Sequence, residues 1–277
     1  MSIGENNRIF VADAFVGEGL AGNPAAVCPR GDWLADDVMQ SVAREMALSE
    51  TAFFAPQDDG YLLRWFTPAT EVDLCGHATL ASAAVFFTHL DPGASAVRFH
   101  TLKAGTLTVT RRGDLLELDF PARPAAQDRL DGVSAALGAT PTDILRIPGA
   151  TCMAVFDSED TVRGLAPDMA ALSALEDRMI IATAPGNKVD FMSRCFAPRA
   201  GIDEDPVTGS AHTTLVPYWS ARLGKSELLA VQASARGGEL FCAQRGDRVA
   251  IAGRAALRGS GTLDLTGTTP RAELIEA

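Results

Sequence analysis

Two hydrophobic periods alternate along this chain. Positions Ile9 to Phe15 are apolar apart from Asp13 and read as a strand. After a loop dense in turn residues, Gly17 to Pro24, a short apolar run over Ala25 to Cys28 predicts a second strand. The period then changes. Leu34, Val38, Val42 and Met46 recur every four residues, which predicts an amphipathic helix over Ala35 to Ala47, with Asp36 and Asp37 suited to its N-terminus. Strands follow over Ser49 to Ala55 and Tyr61 to Phe66, joined by a turn at Gln57 to Gly60. A glycine turn at Gly76 opens an apolar helix running to about Phe87. Three further strands are expected in hairpins over 97–101, 105–110 and 115–120.

The second half repeats this order. Pro121 to Ala126 reads as a linker. A strand over Ala150 to Phe156, a helix over Asp168 to Leu175 and strands over Met179 to Thr183 and Val189 to Phe196 come next. A glycine turn at Gly209 then opens a helix to about Leu223, and hairpin strands continue to Leu265. Phe66-Thr-Pro, an acidic loop and Cys75-Gly-His-Ala-Thr-Leu match Phe196-Ala-Pro, an acidic loop and Thr208-Gly-Ser-Ala-His-Thr-Thr-Leu. Thr51 and Phe66 are 15 residues apart and Met179 and Phe196 are 17 apart, so the spacing fits an internal duplication. The expected class is α+β, with two similar pseudo-symmetric domains, each a curved, mostly antiparallel sheet around a central helix. The boundary is placed at 1–122 and 123–277, with the last strand able to return to the first domain. Such halves are expected to face each other across a ligand cleft near the two glycine turns.

Composition narrows the function. Of 277 residues, 47% are hydrophobic and 21% charged, enough for a full core. The net charge of −11, without a cluster of lysine or arginine, speaks against nucleic acid. The apolar helix after Gly76 is too short for a bilayer, and the first eight residues lead into a strand without a secretory leader. Five scattered cysteines with no CxxC pair fit free thiols in a reducing cytoplasm. Four histidines without HxxxH or HxH spacing argue against a metal site, and Gly17-Glu-Gly lacks the rest of a dinucleotide fingerprint, so no cofactor is expected.

Each glycine turn presents helix N–H groups and a positive dipole end, which suit a small carboxylate. Gly76 and Gly209 let the backbone approach a ligand; equally, each can simply make a tight turn. His77 lies at the first helix start, as a ligand contact or a capping histidine. Asp73 and Asp205 precede the two turns and can grip an amino or hydroxyl group, or cap a loop. Glu45, beside Met46 near a helix C-terminus, is placed to feel the dipole's negative end and partial desolvation, the setting of a general acid/base. Its bland alternative is a solvated glutamate paired to Arg44. Cys75 beside a helix start is expected to have a lowered pKa and could act as a base. Its counterpart stretch, Val207-Thr-Gly-Ser, has no second thiol. His212 reads as a core residue, and His89 and His100 carry no motif.

These residues together resemble the PhzF family of phenazine-biosynthesis-like proteins. The resemblance rests on Asp13 to Phe15, Ala21 to Val27, Ala43 to Phe53, Phe66 to Ala81 and Asp205 to His212, in order over about residues 9–260. It implies two domains of the diaminopimelate-epimerase fold, a homodimer, and a cofactor-free isomerase of trans-2,3-dihydro-3-hydroxyanthranilate that moves a proton between ring carbons. It also implies a catalytic glutamate in the helix motif that here supplies Glu45. Substrate contacts would come from His77, Asp205 and Ser210, and glycine turns at Gly76 and Gly209, with Cys75 the one thiol kept from the related two-thiol epimerases. Two rival readings remain: a Cys75-dependent amino-acid racemase, epimerase or dehydratase, and a non-catalytic metabolite-binding or interaction protein. Trp65, Tyr218 and Trp219 are candidates for pocket walls or for core.

Overall fold

The computed structural model describes residues 7–147, 151–266 and 270–276. Residues 1–6, read above for a leader, and Ala150, read as a strand start, lie outside them. The chain forms two compact units, Met1–Asp119 with Ala252–Ala277, and Phe120–Ile251. The class is α+β, and strands dominate each unit.

The first unit opens with β1 (Arg8–Val16), β2 (Asn23–Pro29), β3 (Glu50–Gln57) and β4 (Gly60–Phe66). β1 and β2 are antiparallel, β2 and β3 parallel, and β3 and β4 antiparallel. Helix α1 (Asp36–Met46) is the crossover that parallel β2 and β3 need. A short β5 (Glu71–Val72) pairs with β4, and α2 (Gly76–Val85) follows. β6 (Ala96–His100) runs parallel to β4, and β7 (Thr106–Arg112) and β8 (Leu115–Pro121) add antiparallel hairpins.

All ten residues of α2 are buried. Its sequence is apolar on every side and rich in alanine, so it serves as the hub the strands wrap around. Helix α1 instead buries one stripe, Met39, Val42 and Ala43, against Ile9, Cys28, Phe53 and Phe66.

The second unit repeats the pairing signs. β9 (Ala126–Gln127), α3 (Val133–Leu137) and β10 (Asp143–Ile147) precede β11 (Thr151–Val155), antiparallel to β10. The parallel crossover from β11 to β12 (Met179–Pro185) carries α4 (Glu159–Gly164) and α5 (Met169–Ala174). β12 pairs antiparallel with β13 (Phe191–Ala197), which holds the short β14 (Ile202–Asp205). α6 (Gly209–Leu223) follows, and β15 (Glu227–Gln232) runs parallel to β13. β16 (Gly238–Arg245) pairs antiparallel with β15. β17 (Arg248–Asp264) then carries the chain from the second unit into the first, where it pairs with β1 and with β18 (Arg271–Glu276). The duplication read from the two glycine turns thus extends to every parallel and antiparallel step between them.

Several elements escaped the sequence pattern: α3, α4, β10 and β18 were not expected. α3 and α4 span only five and six residues, too short to show a period. The supposed linker is pinned, since Ala122 N–H donates to Asp247 O at 2.8 Å and Arg123 N–H to Thr213 O at 2.9 Å. The second bond answers Pro217, which sits inside α6 and has no N–H to offer the Thr213 carbonyl. Among the described residues, no helix is long and apolar enough to cross a membrane.

Candidate active site

In the first unit the chemistry gathers where β2, β3 and α2 begin. α1 ends with Ala47 in the left-handed region, φ 50°, and three residues later the chain enters β3 at Glu50. Glu50 opens a strand whose first six residues are all buried, in register with Ala25 of the parallel β2. Its Oε2 lies 3.1 Å from Nε2 of His77, in the first turn of α2. That oxygen is inaccessible and accepts no hydrogen bond, so the contact is ionic and off the hydrogen-bonding line. Cys75, the N-cap of α2, brings Sγ to 3.5 Å from Nδ1 of the same ring and 4.0 Å from Nε2.

Asn23, fully buried at the head of β2, completes the group. Its Nδ2 is 3.2 Å from His77 Nδ1 and its Oδ1 accepts from Ser49 Oγ at 3.4 Å. Gly22 makes this placement possible. Its φ is +73°, and a Cβ there would meet Ala14 O at 2.3 Å.

Burial opposes a charge on His77, but Cys75 and Glu50 outweigh it and hold the ring well above the usual histidine value. Burial, then Glu50, pushes the Cys75 thiol up against the opposing pull of His77 and the Ala78 amide. This corrects the expectation of a lowered thiol pKa: the helix N-terminus is present, but loss of solvent dominates.

A second correction concerns Glu45. It is exposed on the last turn of α1, off the Met39, Val42 and Ala43 stripe, and is not desolvated as expected. The buried carboxylate of the same motif is Glu50. One signal could have found it: a glutamate heading an otherwise apolar strand is a buried charge in want of a partner. Asn23 and Ser49 were likewise passed over. Histidine spacing pointed away from a metal site, yet the fold gathers Glu50, Cys75 and His77, with ligating atoms within 4.8 Å of one another.

The second unit builds its turn differently. Asp205 Oδ2 accepts from Thr208 Oγ1 at 2.6 Å. Gln232, fully buried at the end of β15, clamps the loop from behind. Its Nε2 donates to Asp205 O at 2.7 Å, and its Oε1 accepts from the Thr208 N–H at 2.8 Å. Gly209 is buried and Ser210 exposed at the start of α6. His212 is a core residue, as read from sequence: Nδ1 meets Thr208 O at 2.9 Å, Nε2 has no partner, and burial lowers its pKa to about 4. Gln232 was missed, because nothing in a β-strand period marks a glutamine that serves a loop 24 residues away.

The remaining candidates have plainer places. Asp73 is exposed and pairs with Lys103 at 2.8 Å. His100 contacts Asp59, and His89 stacks on Phe10. Trp65 and Trp219 are core, at 2% and 1% exposure. All five cysteines are free and buried.

The model of the PhzC-PhzF family, phenazine biosynthesis-like protein, matches residues 12–261. An uncharacterized isomerase of Pseudomonas aeruginosa is 51% identical over 258 residues, covering 93% of this chain and 98% of the relative. A second from the same organism is 48% identical, covering 92% and 97%. The crystal structure of a phenazine biosynthesis protein of the PhzF family from Enterococcus faecalis superposes with a TM-score of 0.90 at 42% identity, covering 94% of this chain and 99% of that one. The chain belongs to the PhzC-PhzF family of phenazine biosynthesis-like proteins and is an enzyme of the isomerase class.

Proposed function

We propose that this isomerase shifts a proton within a small carboxylate substrate resembling trans-2,3-dihydro-3-hydroxyanthranilate, without a cofactor, and that Glu50 rather than Glu45 is its general acid/base. The observation that carries this reading is the buried Glu50 carboxylate, held beside His77 with one oxygen that accepts no hydrogen bond. The side chain keeps 11% of its surface, and a substrate carbon meets the carboxylate from that open edge. Glu50 takes the proton from one carbon of the substrate, the electron pair shifts within the substrate's own double bonds, and the same proton returns to a second carbon on the same face. His77, its ring fixed by Asn23, orients the carboxylate and a polar substituent of the substrate. Gly76 supplies an approach for the ligand at the head of α2. Asp205, Gly209 and Ser210 are substrate-binding in the same proposal, with Gln232 holding their loop. The homodimer implied by the family resemblance belongs to it too, and sedimentation velocity reads it.

The test is proton NMR in D₂O with trans-2,3-dihydro-3-hydroxyanthranilate. Wild type and Glu45→Gln should convert it with solvent exchange, and Glu50→Gln should lose about 100- to 10,000-fold in rate. An active Glu50→Gln overturns the assignment; an inactive wild type removes this substrate.

A thiol-based racemase or epimerase is the second reading, favoured by one contact, Cys75 Sγ against the His77 ring. The raised thiol pKa weighs against it. Iodoacetamide inactivation protected by substrate, with Glu50→Gln still active, would establish it instead.

A further inference from the structure

The Glu50, Cys75 and His77 cluster offers three different donors to one point: a carboxylate oxygen, a thiol sulfur and an imidazole nitrogen. Residues 25 positions apart or more in sequence supply the first and the last two, so only the fold brings them together. This set is the one that borderline and soft divalent cations select, and hard cations such as magnesium do not.

The distances fit a single ion. Zinc bonds to sulfur at about 2.3 Å, to imidazole nitrogen at about 2.0–2.1 Å and to carboxylate oxygen at about 2.0–2.2 Å. About a tetrahedral ion those bonds set sulfur and nitrogen about 3.6 Å apart, and nitrogen and oxygen about 3.4 Å apart. Cys75 Sγ and His77 Nε2 are 4.0 Å apart, and His77 Nε2 and Glu50 Oε2 are 3.1 Å apart. The sulfur has to close by a few tenths of an ångström and the oxygen to open by as much.

Two further observations point to a ligand. Glu50 Oε2 is inaccessible, in a residue 8% exposed, and accepts no hydrogen bond from the protein. The His77 ring faces it off the hydrogen-bonding line, so the ion pair leaves the oxygen without a hydrogen-bond donor. Asn23 supplies the outer support that metal-bound histidines use. With Nε2 on an ion, Nδ1 must carry the proton and donate it. Turned over, the Asn23 amide accepts from Nδ1–H and donates to Ser49 Oγ. The three donors keep 8%, 7% and 5% of their surface, so solvent reaches the edge of the group.

We propose that Glu50, Cys75 and His77 form a binding site for one thiophilic divalent cation, zinc fitting best, and that its occupancy silences the isomerase. On binding, the metal–sulfur bond replaces the S–H bond of Cys75 and the metal–nitrogen bond replaces the Nε2–H bond of the His77 imidazolium, and both protons leave to solvent. The carboxylate bonded to the ion is then no longer available to take a proton from carbon. This inhibitory half rests on the general acid/base role proposed for Glu50; the binding half does not.

Cobalt(II) is the probe. Titrated into chelator-treated, dialysed protein, it should give a thiolate-to-cobalt charge-transfer band that saturates at one equivalent and is displaced by zinc. Cys75→Ala and, as a gentler change, Cys75→Ser should abolish the band, and His77→Ala should weaken binding by more than about 100-fold. Circular dichroism checks that each variant is folded. Cys242→Ala, removing a buried thiol in β16, should keep the band. No charge-transfer band, or one that survives Cys75→Ala, overturns the site. Zinc should also raise the melting temperature of wild type and not of Cys75→Ala. With zinc saturating, solvent exchange into the substrate should fall at least tenfold. Unchanged exchange with the band present overturns the inhibition. A wild type inactive before zinc is added indicts the proposed reaction, and the cobalt spectrum still decides the site.

Discussion

Glu50 Oε2 and His77 Nε2 stand 3.1 Å apart, one at the first residue of a strand and the other in the first turn of the unit's buried helix. Neither has bulk water to fall back on. Removing one partner therefore leaves the other as a lone buried polar group. His77→Leu should destabilise the protein by about 3–5 kcal/mol in urea unfolding. Glu50→Gln, which keeps the shape and a hydrogen-bonding group but removes the charge, should be milder, at about 1–2 kcal/mol. Equal losses from the two variants would show that His77 is held by packing rather than by the carboxylate.

The two buried histidines should tilt stability with pH in opposite directions. His77 is raised in the folded state. Its contribution is complete below the ordinary histidine value of about 6.5 and is lost as pH rises through its folded value. His212 is lowered to about 4, so the unfolded chain binds its proton first. Its contribution is complete above about 6.5 and falls away between about 6.5 and 4, by about 3 kcal/mol in all. Melting curves over pH for wild type, His77→Gln and His212→Gln separate them: the first variant should lose the alkaline slope, the second the acid slope.

Gly22→Ala should be among the costliest single-methyl changes in the chain. The added Cβ meets a backbone oxygen, Ala14 O, at 2.3 Å, and φ there is +73°. No side-chain adjustment relieves either, so a loss of at least about 2 kcal/mol is expected. Because Asn23 is the next residue, the variant should also loosen the ring of His77. Histidine ring NMR shifts that stay at their wild-type values in a destabilised Gly22→Ala would argue that Asn23 does not set that ring.

Gln232→Leu removes the partner of the Thr208 N–H and of the Asp205 carbonyl together. Two unsatisfied backbone groups should lower stability by about 2–4 kcal/mol. Gln232→Glu retains the acceptor for Thr208 N–H but loses the Nε2 donations to Asp205 O and Thr208 Oγ1 and buries a carboxyl group beside Asp205, so it should recover little of that loss. If the Asp205 loop binds substrate, both variants should raise KM more than they lower kcat.

The repeat was legible in the sequence because its markers are backbone needs: a glycine before each buried helix, an acidic loop, a phenylalanine ending the strand before. Those needs survive duplication, and the parallel and antiparallel steps came with them. The short helices α3 and α4 were not legible, since five or six residues cannot display a helical period. His77, Cys75, Asp205 and Gly209 were singled out from their places beside the two turns. Glu45 drew attention because it sits in a visible helix, whereas Glu50, five residues on, is reached only after the chain has turned into a strand. Burial separates the two glutamates, and burial is decided by the register of β3 on β2. Asn23 and Gln232 act on groups 54 and 24 residues distant, a relation no local pattern encodes.

β17 has a further bearing on how the molecule comes into being. Arg8 pairs with Thr262, and Val16 with Arg254, so the first strand made waits for one of the last. During synthesis the inner unit, Phe120–Ile251, emerges whole and can close its core while the outer unit still lacks a strand. Until residue 252 leaves the ribosome, β1 presents an open edge that any other strand could join. A ribosome-bound chain whose residues have left the tunnel as far as 251, with 254–262 still inside, should therefore hold a protease-resistant second repeat and a sensitive first one, reversing the order in which the two were translated.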